Sequence, residues 1–305
     1  MAENRSRVWI WVLVGGGVFF LFLVAVFMVV YIGVSGSNAQ TSDDGFGFGD
    51  KIGVIDVEGV ILDPDQTVKD LKHYADDDSI KAIILHIDSP GGGAAASQEI
   101  YDEVLRIRDK KKKRIVASIS TVGASGAYYI ASATNKIFAD RASIVGSIGV
   151  IAEWVNYEDL MRWAKLKDVT LKAGEFKDTG SPTREMTPAE RAYMQGLIDD
   201  MHDQFIKDVA AGRKLNEGDI RTIANGKVWT GAQAMPLHLI DATGTFQDAV
   251  EDTAKSVGIK GEPTLVKPEH RRRTLMDVLF GDISEWLPDR AKMLQQNPGF
   301  YFLWR

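Results

Sequence analysis

A run of 27 residues without a single charge, VWIWVLVGGGVFFLFLVAVFMVVYIGV at 8–34, constrains this chain more than any other feature. The hydrocarbon core of a bilayer takes about 20 helical residues, whereas the apolar stretch of a cleaved secretory leader is about 7–15 residues long. The run therefore reads as one retained transmembrane helix, even though Ser37-Asn38-Ala39 offers a site of the kind a leader peptidase accepts. Arg5 and Arg7 precede the run; Asp43, Asp44 and Asp50 follow it, with no Lys or Arg before Lys51. Positive flanks stay in the cytoplasm. Residues 1–7 are thus expected to be cytoplasmic, and everything beyond the helix to sit on the outer (periplasmic or extracytoplasmic) face of a cell membrane. Residues 35–50 are rich in Gly, Ser and Asp and read as a flexible linker.

Composition closes off several chemistries. A net charge of -6 argues against a nucleic-acid partner. The absence of cysteine excludes disulfides, thiolate nucleophiles, zinc ribbons and iron–sulfur clusters. Covalent catalysis is left to Ser, Thr, Lys, Asp or Glu. No HExxH or comparable metal spacing is present.

From residue 51 onward strand and helix signals alternate. Strands are expected at 51–60, 82–87, 114–120, 136–138, 146–151 and 169–173. Helices are expected at 68–74, 94–108, 125–133 and 157–165. A long helix should open at Thr187-Pro188-Ala189-Glu190, where Thr, Pro and Glu stand as N-cap, first helical residue and capping-box partner. Alternation of this kind implies an α/β body with a mainly parallel sheet built from βαβ units. The body spans 51–261, and 262–305 form a separate tail. The basic run at 110–114 suits a helix C-terminus and solvent, and needs no partner.

Five histidines occur, at 73, 86, 202, 238 and 270, and none lies in a Gly-rich or turn context beside a serine. Gly123-Ala124-Ser125-Gly126-Ala127 misses the GxSxG elbow at its last position. What remains is a serine activated by a lysine, whose amine becomes a usable base when an apolar site desolvates it. Ser125 is the best nucleophile candidate: it follows a strand and a Gly-containing turn and opens a helix, where free N–H groups favour an oxyanion. Spacing alone also fits a serine in a tightly packed small-residue helix start. A second piece is Asp88-Ser89-Pro90-Gly91-Gly92-Gly93, a loop between a buried strand and a helix, where glycines let a substrate backbone approach. Lys177 stands beside Lys165, Lys167 and Lys172, and the residues by themselves do not choose among them.

In order and separation, IDSPGGG at 87–93, GASGAYYIA at 123–131, GSIGVI at 146–151 and GEFKD at 174–178 resemble the motif series of the signal peptide peptidase A family. WTGAQAMPLHLID at 229–241 resembles its closing segment, except that His238 stands where the family usually has Gly. The resemblance covers about 51–258. It implies a Clp protease/crotonase-like α/β fold, preceded here by the membrane helix, and no cofactor or metal. It implies Ser125 as nucleophile, Lys177 as general base, Ser147 as the group that orients the lysine, and the amides of Gly92 or Gly93 with Gly126 as the oxyanion hole. It implies ring-shaped homo-oligomers in which the lysine can come from a neighbouring subunit. The implied substrates are remnant signal peptides and other hydrophobic, extended peptides.

The tail lies beyond the resemblance. Leu275, Val278, Leu279, Ile283, Trp286 and Leu287 have amphipathic helical spacing, and the chain closes on the apolar GFYFLWR. Packing on the body or on a neighbouring subunit is the expectation for this segment. Contact with the bilayer surface and docking in the protease's own groove are the alternatives.

Overall fold

A computed structural model describes residues 50–268 and 300–304. The membrane-helix run at 8–34, most of the linker and the amphipathic stretch at 275–287 lie outside the described residues. Among the described residues, no helix is long and apolar enough to cross a membrane.

The strands are β1 (Lys51–Ile61), β2 (Ile80–Gly93), β3 (Arg114–Ala124), β4 (Lys136–Ala139), β5 (Ile144–Gly146), β6 (Ile151–Ala152), β7 (Val228–Thr230), β8 (Ala242–Thr243), β9 (Thr264–Val266) and β10 (Phe300–Leu303). The helices are α1 (Asp65–Asp76), α2 (Ala94–Arg106), α3 (Gly126–Ser132), α4 (Glu158–Trp163), α5 (Pro188–Arg213), α6 (Glu217–Ile223), α7 (Gly231–Ala234) and α8 (Phe246–Ser256); a π turn, Ile107–Lys111, prolongs α2.

β1 pairs in parallel with β2, β2 with β3, and β3 with β4 and β5. The connections run through α1, α2 and α3, which is the βαβ alternation that the sequence implies. Strand β2 lies between β1 and β3, and residues 82–85 of it (AIIL) are fully buried. A strand covered on both faces needs such an uninterrupted apolar run. The main core joins these strands to Leu71 and Tyr74 of α1, Ile100 and Val104 of α2, the whole of α3, and Phe205, Ile206 and Val209 of α5. A second cluster, around Ile52, Ile84, Val116 and Phe138, is covered by Ala249, Val250 and Ala254 of α8.

The long helix opens as its sequence dictates. Thr187 accepts from the Glu190 N–H, the Glu190 carboxylate accepts from the Thr187 N–H, and Pro188 is the first helical residue.

Two expectations fail. The stretch expected as one strand at 146–151 is split: β5 ends at Gly146, and β6 begins only at Ile151. The break follows from the left-handed backbone of Gly146 (φ +95°) and Ser147 (φ +53°), which turns the chain out of the ladder. No strand forms at 169–173 either: Val169 is 82% and Leu171 is 96% exposed. Their β-branched and apolar character suits a strand, but among the described residues no sheet edge meets them.

Candidate active site

The parallel register of β3 and β5 builds the site. Ala124 pairs with Gly146, so the next residue on each strand, Ser125 and Ser147, stands at the end of neighbouring strands. Paired strands lie about 4.8 Å apart, which makes the two serines neighbours. Both are buried, at 1% and 6% exposure, and both have φ near +53°. A non-glycine residue rarely adopts that conformation, and holding it costs on the order of 1–3 kcal/mol.

Backbone hydrogen bonds hold each serine there. The Ser125 N–H donates to the Gly146 carbonyl at 2.7 Å, and its own carbonyl accepts from the Tyr129 N–H at 2.8 Å. The Ser147 N–H donates to the Lys227 carbonyl at 2.8 Å. Ser125 occupies the cap position of α3 with ψ −119°, and its side chain is not used for capping. Its Oγ is thereby left for other work, while the N–H of Gly126 falls in the first turn, where amides lack intrahelical partners. Helix α3 is buried along its whole length, so the nucleophile candidate stands on a rigid support. Tyr129 reinforces it, donating from its hydroxyl to the Asp208 carboxylate and stacking on Tyr101 at 4.5 Å.

The glycine segment forms the second wall. It is not a free loop but the end of β2, paired with β1 through Val60–Gly91 and Ile61–Gly92. Ser89 braces it: its Oγ donates to the Gly59 carbonyl at 2.6 Å and accepts from the Gly91 N–H at 3.1 Å. Sequence reasoning missed this role, although a serine between a buried strand and Pro-Gly was the available signal. Glycine is obligatory at 92, since a Cβ there would fall 2.0 Å from the Ile61 carbonyl oxygen. Gly93 caps α2.

Segment Phe300–Leu303 pairs antiparallel with this same stretch, matching Tyr301 to Gly93, Phe302 to Gly92 and Leu303 to Gly91. On its other edge Phe300 and Tyr301 meet Ala152 and Ile151 of β6. Residues 300–304 thus lie along the glycine segment of the body.

Lys177 is placed differently. It is exposed, within a turn-rich stretch where its N–H donates to the Gly174 carbonyl at 3.3 Å. Among the described residues, its ammonium makes no hydrogen bond or ion pair within the chain. The stretch is tied to the start of α5 by Arg184, which donates to Asp178 at 3.1 Å and to Glu190 at 2.9 Å. The Arg184 guanidinium holds both carboxylates down at a pKa of about 2, with Lys172 assisting at Asp178 and the Thr187 N–H at Glu190. The structure thus sets Ser125 beside Gly126 and Ser147, places Gly92 and Gly93 at the end of the adjacent strand β2, and leaves Lys177 on an exposed segment.

A second constellation carries the residue types of a triad. Asp56, His86 and Ser118 are in register on three adjacent strands, with Asp56 Oδ1 and His86 Nδ1 3.1 Å apart. Ser118, however, lies in the middle of β3, 2% exposed, among paired backbone that has no free N–H to offer an oxyanion. Among the described residues no group of His, Asp or Glu forms a metal cluster.

A strained, buried serine at a strand-to-helix turn, with the free amides of a helix start beside it, is the arrangement a serine hydrolase uses. The sequence pattern of peptidase family S49 matches residues 107–260. A Synechocystis sp. protein named as a protease is 38% identical over 211 residues, 68% of this chain and 75% of its own length. An Enterococcus faecium protein named as a signal peptide peptidase is 30% identical over 250 residues, 77% of this chain and 72% of its own. Protease 4 of Haemophilus influenzae is 32% identical over 216 residues, 68% of this chain but only 35% of that protein. The chain belongs to peptidase family S49 and is a serine peptidase, as its resemblance to signal peptide peptidase A implies.

Proposed function

We propose that this chain is a membrane-anchored Ser-Lys endopeptidase that cuts hydrophobic, extended peptides, spent signal peptides among them, at the outer face of a cell membrane. The observation that carries the reading is the juxtaposition of Ser125 and Ser147 at the ends of the paired strands β3 and β5, near a glycine-lined strand end. A peptide adds to such an edge by backbone hydrogen bonds, which impose extension and little sequence preference. The signal peptide substrate is supported by the name of the Enterococcus faecium relative and by the uncharged run at 8–34. That run would hold the enzyme where cleaved leaders remain.

In the reaction, the Lys177 amine takes the Ser125 hydroxyl proton as Oγ attacks the scissile carbonyl carbon. The Gly126 N–H, with Gly93 or Gly92, receives the developing oxyanion. The protonated amine then gives its proton to the leaving nitrogen, and a water repeats the sequence on the acyl-enzyme. Ser147 orients the lysine by a hydrogen bond.

Lys177 comes from a neighbouring copy in this reading. Its segment carries an uncommon density of bare apolar side chains: Val155, Leu160, Trp163, Leu166, Val169 and Leu171 are each more than half exposed. An apolar face of this kind marks an interface. Head-to-tail contact between copies closes a ring, in which the lysine of one copy reaches the serine of the next. The finer fold assignment, Clp protease/crotonase-like, and the division into residues 1–7, 8–34, 35–50, 51–261 and 262–305 belong to the same reading.

The test is cleavage of a synthetic hydrophobic signal peptide by the detergent-solubilised full chain, beside Ser125→Ala and Lys177→Ala. The reading requires that the parent cut and that both variants, folded and assembled, do not. Full activity in Lys177→Ala would assign the base to another residue.

A further inference from the structure

The basic run at 110–114 reads in the sequence as the solvated end of a helix. The fold gives it company that spacing alone does not show. Lys112, Lys113 and Arg114 lead into β3, and Lys81 stands at the start of β2, next to Ala82, which pairs with Arg114. Arg213 and Lys214 close α5 at the same end of the sheet. These side chains and Arg108 line a cavity of about 630 Å³. Strand β3 runs 11 residues from Arg114 to Ala124. At about 3.3 Å per residue, the cavity lies roughly 30 Å from Ser125, at the opposite end of the sheet.

Charge in the cavity is not balanced. Seven cationic side chains and two carboxylates line it, in a chain whose net charge is -6. Both carboxylates are already engaged. Asp109 accepts from Arg108 at 2.7 and 2.9 Å, and Asp241 accepts twice from Arg213 at 2.8 Å. Among the described residues, Lys112, Lys113, Arg114 and Lys214 have no carboxylate partner. The Lys113 ammonium donates to carbonyls instead, that of Tyr74 at 2.9 Å and that of Asp77 at 2.7 Å. The Arg114 Nε is buried and has no hydrogen-bond partner. Folded proteins rarely leave a buried donor in that state. Burial also holds the Lys113 ammonium below its ordinary pKa; Lys111 and Lys81 repel it further, against the pull of Asp77 and Asp78. A bound anion would relieve both conditions.

Helix dipoles explain part of the set. Lys112 and Lys214 each follow a helix C-terminus in the left-handed conformation, where cations are favoured. They do not explain Lys81 and Arg114, which open parallel strands, or the buried Arg114 Nε.

We infer that this cavity is a binding site for a phosphate-bearing anion, separate from the peptidase site and independent of the reading of Ser125. A phosphate group sets several acceptor oxygens around one charged centre, which suits donors arriving from two strands and a helix end. The cavity is far larger than a bare phosphate ion and has room for a phosphoryl headgroup or a diphosphate. The place where the chain enters the body favours a lipid as the source. Asp50 pairs with Lys81 at 3.6 Å, and residues 35–49 alone separate it from the uncharged run at 8–34. An anchor in that run is joined to the body at the cavity's rim, and anionic headgroups attract basic clusters beside such anchors.

The experiment titrates the full chain in neutral detergent, at about 0.1 M salt, with inorganic pyrophosphate and with dihexanoyl phosphatidylglycerol, followed by calorimetry. At least one of the two is expected to bind with a Kd below about 1 mM. Binding of phosphatidylglycerol alone names a lipid as the source, binding of pyrophosphate alone names a free phosphate, and either supports the site, as does binding of both. Lys112→Gln combined with Lys214→Gln should weaken binding about tenfold, and Arg114→Gln at least as much. Both lysines are exposed, so the double variant keeps the test open if Arg114→Gln fails to fold. Lys110→Gln removes the same charge from the same run outside the cavity, and should change Kd by less than about twofold. Peptide cleavage by the double variant should equal that of the parent, and failure of the Ser125 reading would leave the titrations unaffected. The inference is overturned if both probes bind with a Kd above about 1 mM, or if Lys110→Gln weakens binding as much as the double variant. Equal binding of triglutamate, or of dihexanoyl phosphatidylcholine with its neutral headgroup, overturns it as well.

Discussion

The two halves of the proposed catalytic machinery are built in opposite ways. The serine half is buried and over-determined: strained backbone at Ser125 and Ser147 is fixed by hydrogen bonds to Gly146 and Lys227 and backed by a fully buried helix. The lysine half, around 153–187, has one short helix without a buried residue, and it leans on an ion-pair network rather than a core. A nucleophile needs fixed geometry, so it belongs on the sheet. A base that arrives from outside needs only a firm attachment, which Arg184 and the α5 capping box supply. The contrast is the one the proposed assembly expects, with the serine half built within one chain and the lysine half left for another to complete.

Removing either reacting group should give the largest effect. Ser125→Ala and Lys177→Ala are each expected to lower kcat/KM by about 10³ or more in the peptide assay. Thermal unfolding of Lys177→Ala should stay within about 0.5 kcal/mol of the parent, because the side chain is exposed. A large stability loss there would show that the lysine segment is more tightly built than described.

Two glycines sharpen the same contrast. Gly92→Ala places a Cβ 2.0 Å from the Ile61 carbonyl oxygen. It should abolish most activity and cost about 1–3 kcal/mol by overpacking. Gly174→Ala, in the lysine segment, meets nothing within 4 Å and costs only the strain of φ +102°, about 1–2 kcal/mol. Paired calorimetry and rate measurements should rank them in that order for activity.

Trp163 is 81% exposed and supports no core. Trp163→Glu should leave secondary structure and monomer stability unchanged while reducing particle mass in light scattering and lowering activity about tenfold or more. An assembled, active Trp163→Glu would remove the proposed interface.

The smallest effect concerns acid. Asp178 and Glu190 are held at about 2, below their ordinary 3.8 and 4.5. A depressed carboxylate stabilises the fold above its unfolded value and loses that contribution as pH falls towards the folded one. Protection of the 172–190 amides in hydrogen exchange should therefore persist at pH 4.5 and weaken towards pH 2. Arg184→Gln should move that loss upward in pH.

Legibility in the sequence follows the same division. β1 to β3 are apolar-rich runs with Gly or Pro at or just beyond their ends, and the α5 start carries its capping box, so those elements are readable locally. Ser125 and the glycine segment are readable as a strand-to-helix turn and a run of glycines. The juxtaposition of Ser125 and Ser147 is not, because it depends on the β3–β5 register, and two left-handed residues, Gly146 and Ser147, split what reads as one strand. The 169–173 stretch misleads, because an exposed β-branched run reads as a strand whether or not an edge awaits it. Lys177 was distinguishable from Lys165, Lys167 and Lys172 only through the GEFKD resemblance. The pairing of 300–303 with 91–93 joins segments about two hundred residues apart, a match carried by backbone and therefore without side-chain signature.

The most direct test of the two-half account is a mixing experiment. Ser125→Ala and Lys177→Ala chains, each inactive, are co-assembled in detergent at equal amounts and assayed on the hydrophobic peptide. If the serine of one copy meets the lysine of the next, mixed assemblies recover activity approaching about a quarter of the parent, the statistical share of intact sites in a head-to-tail ring. Mixed assemblies of verified composition that remain inactive would contradict the account, and would place both halves of the site within one chain.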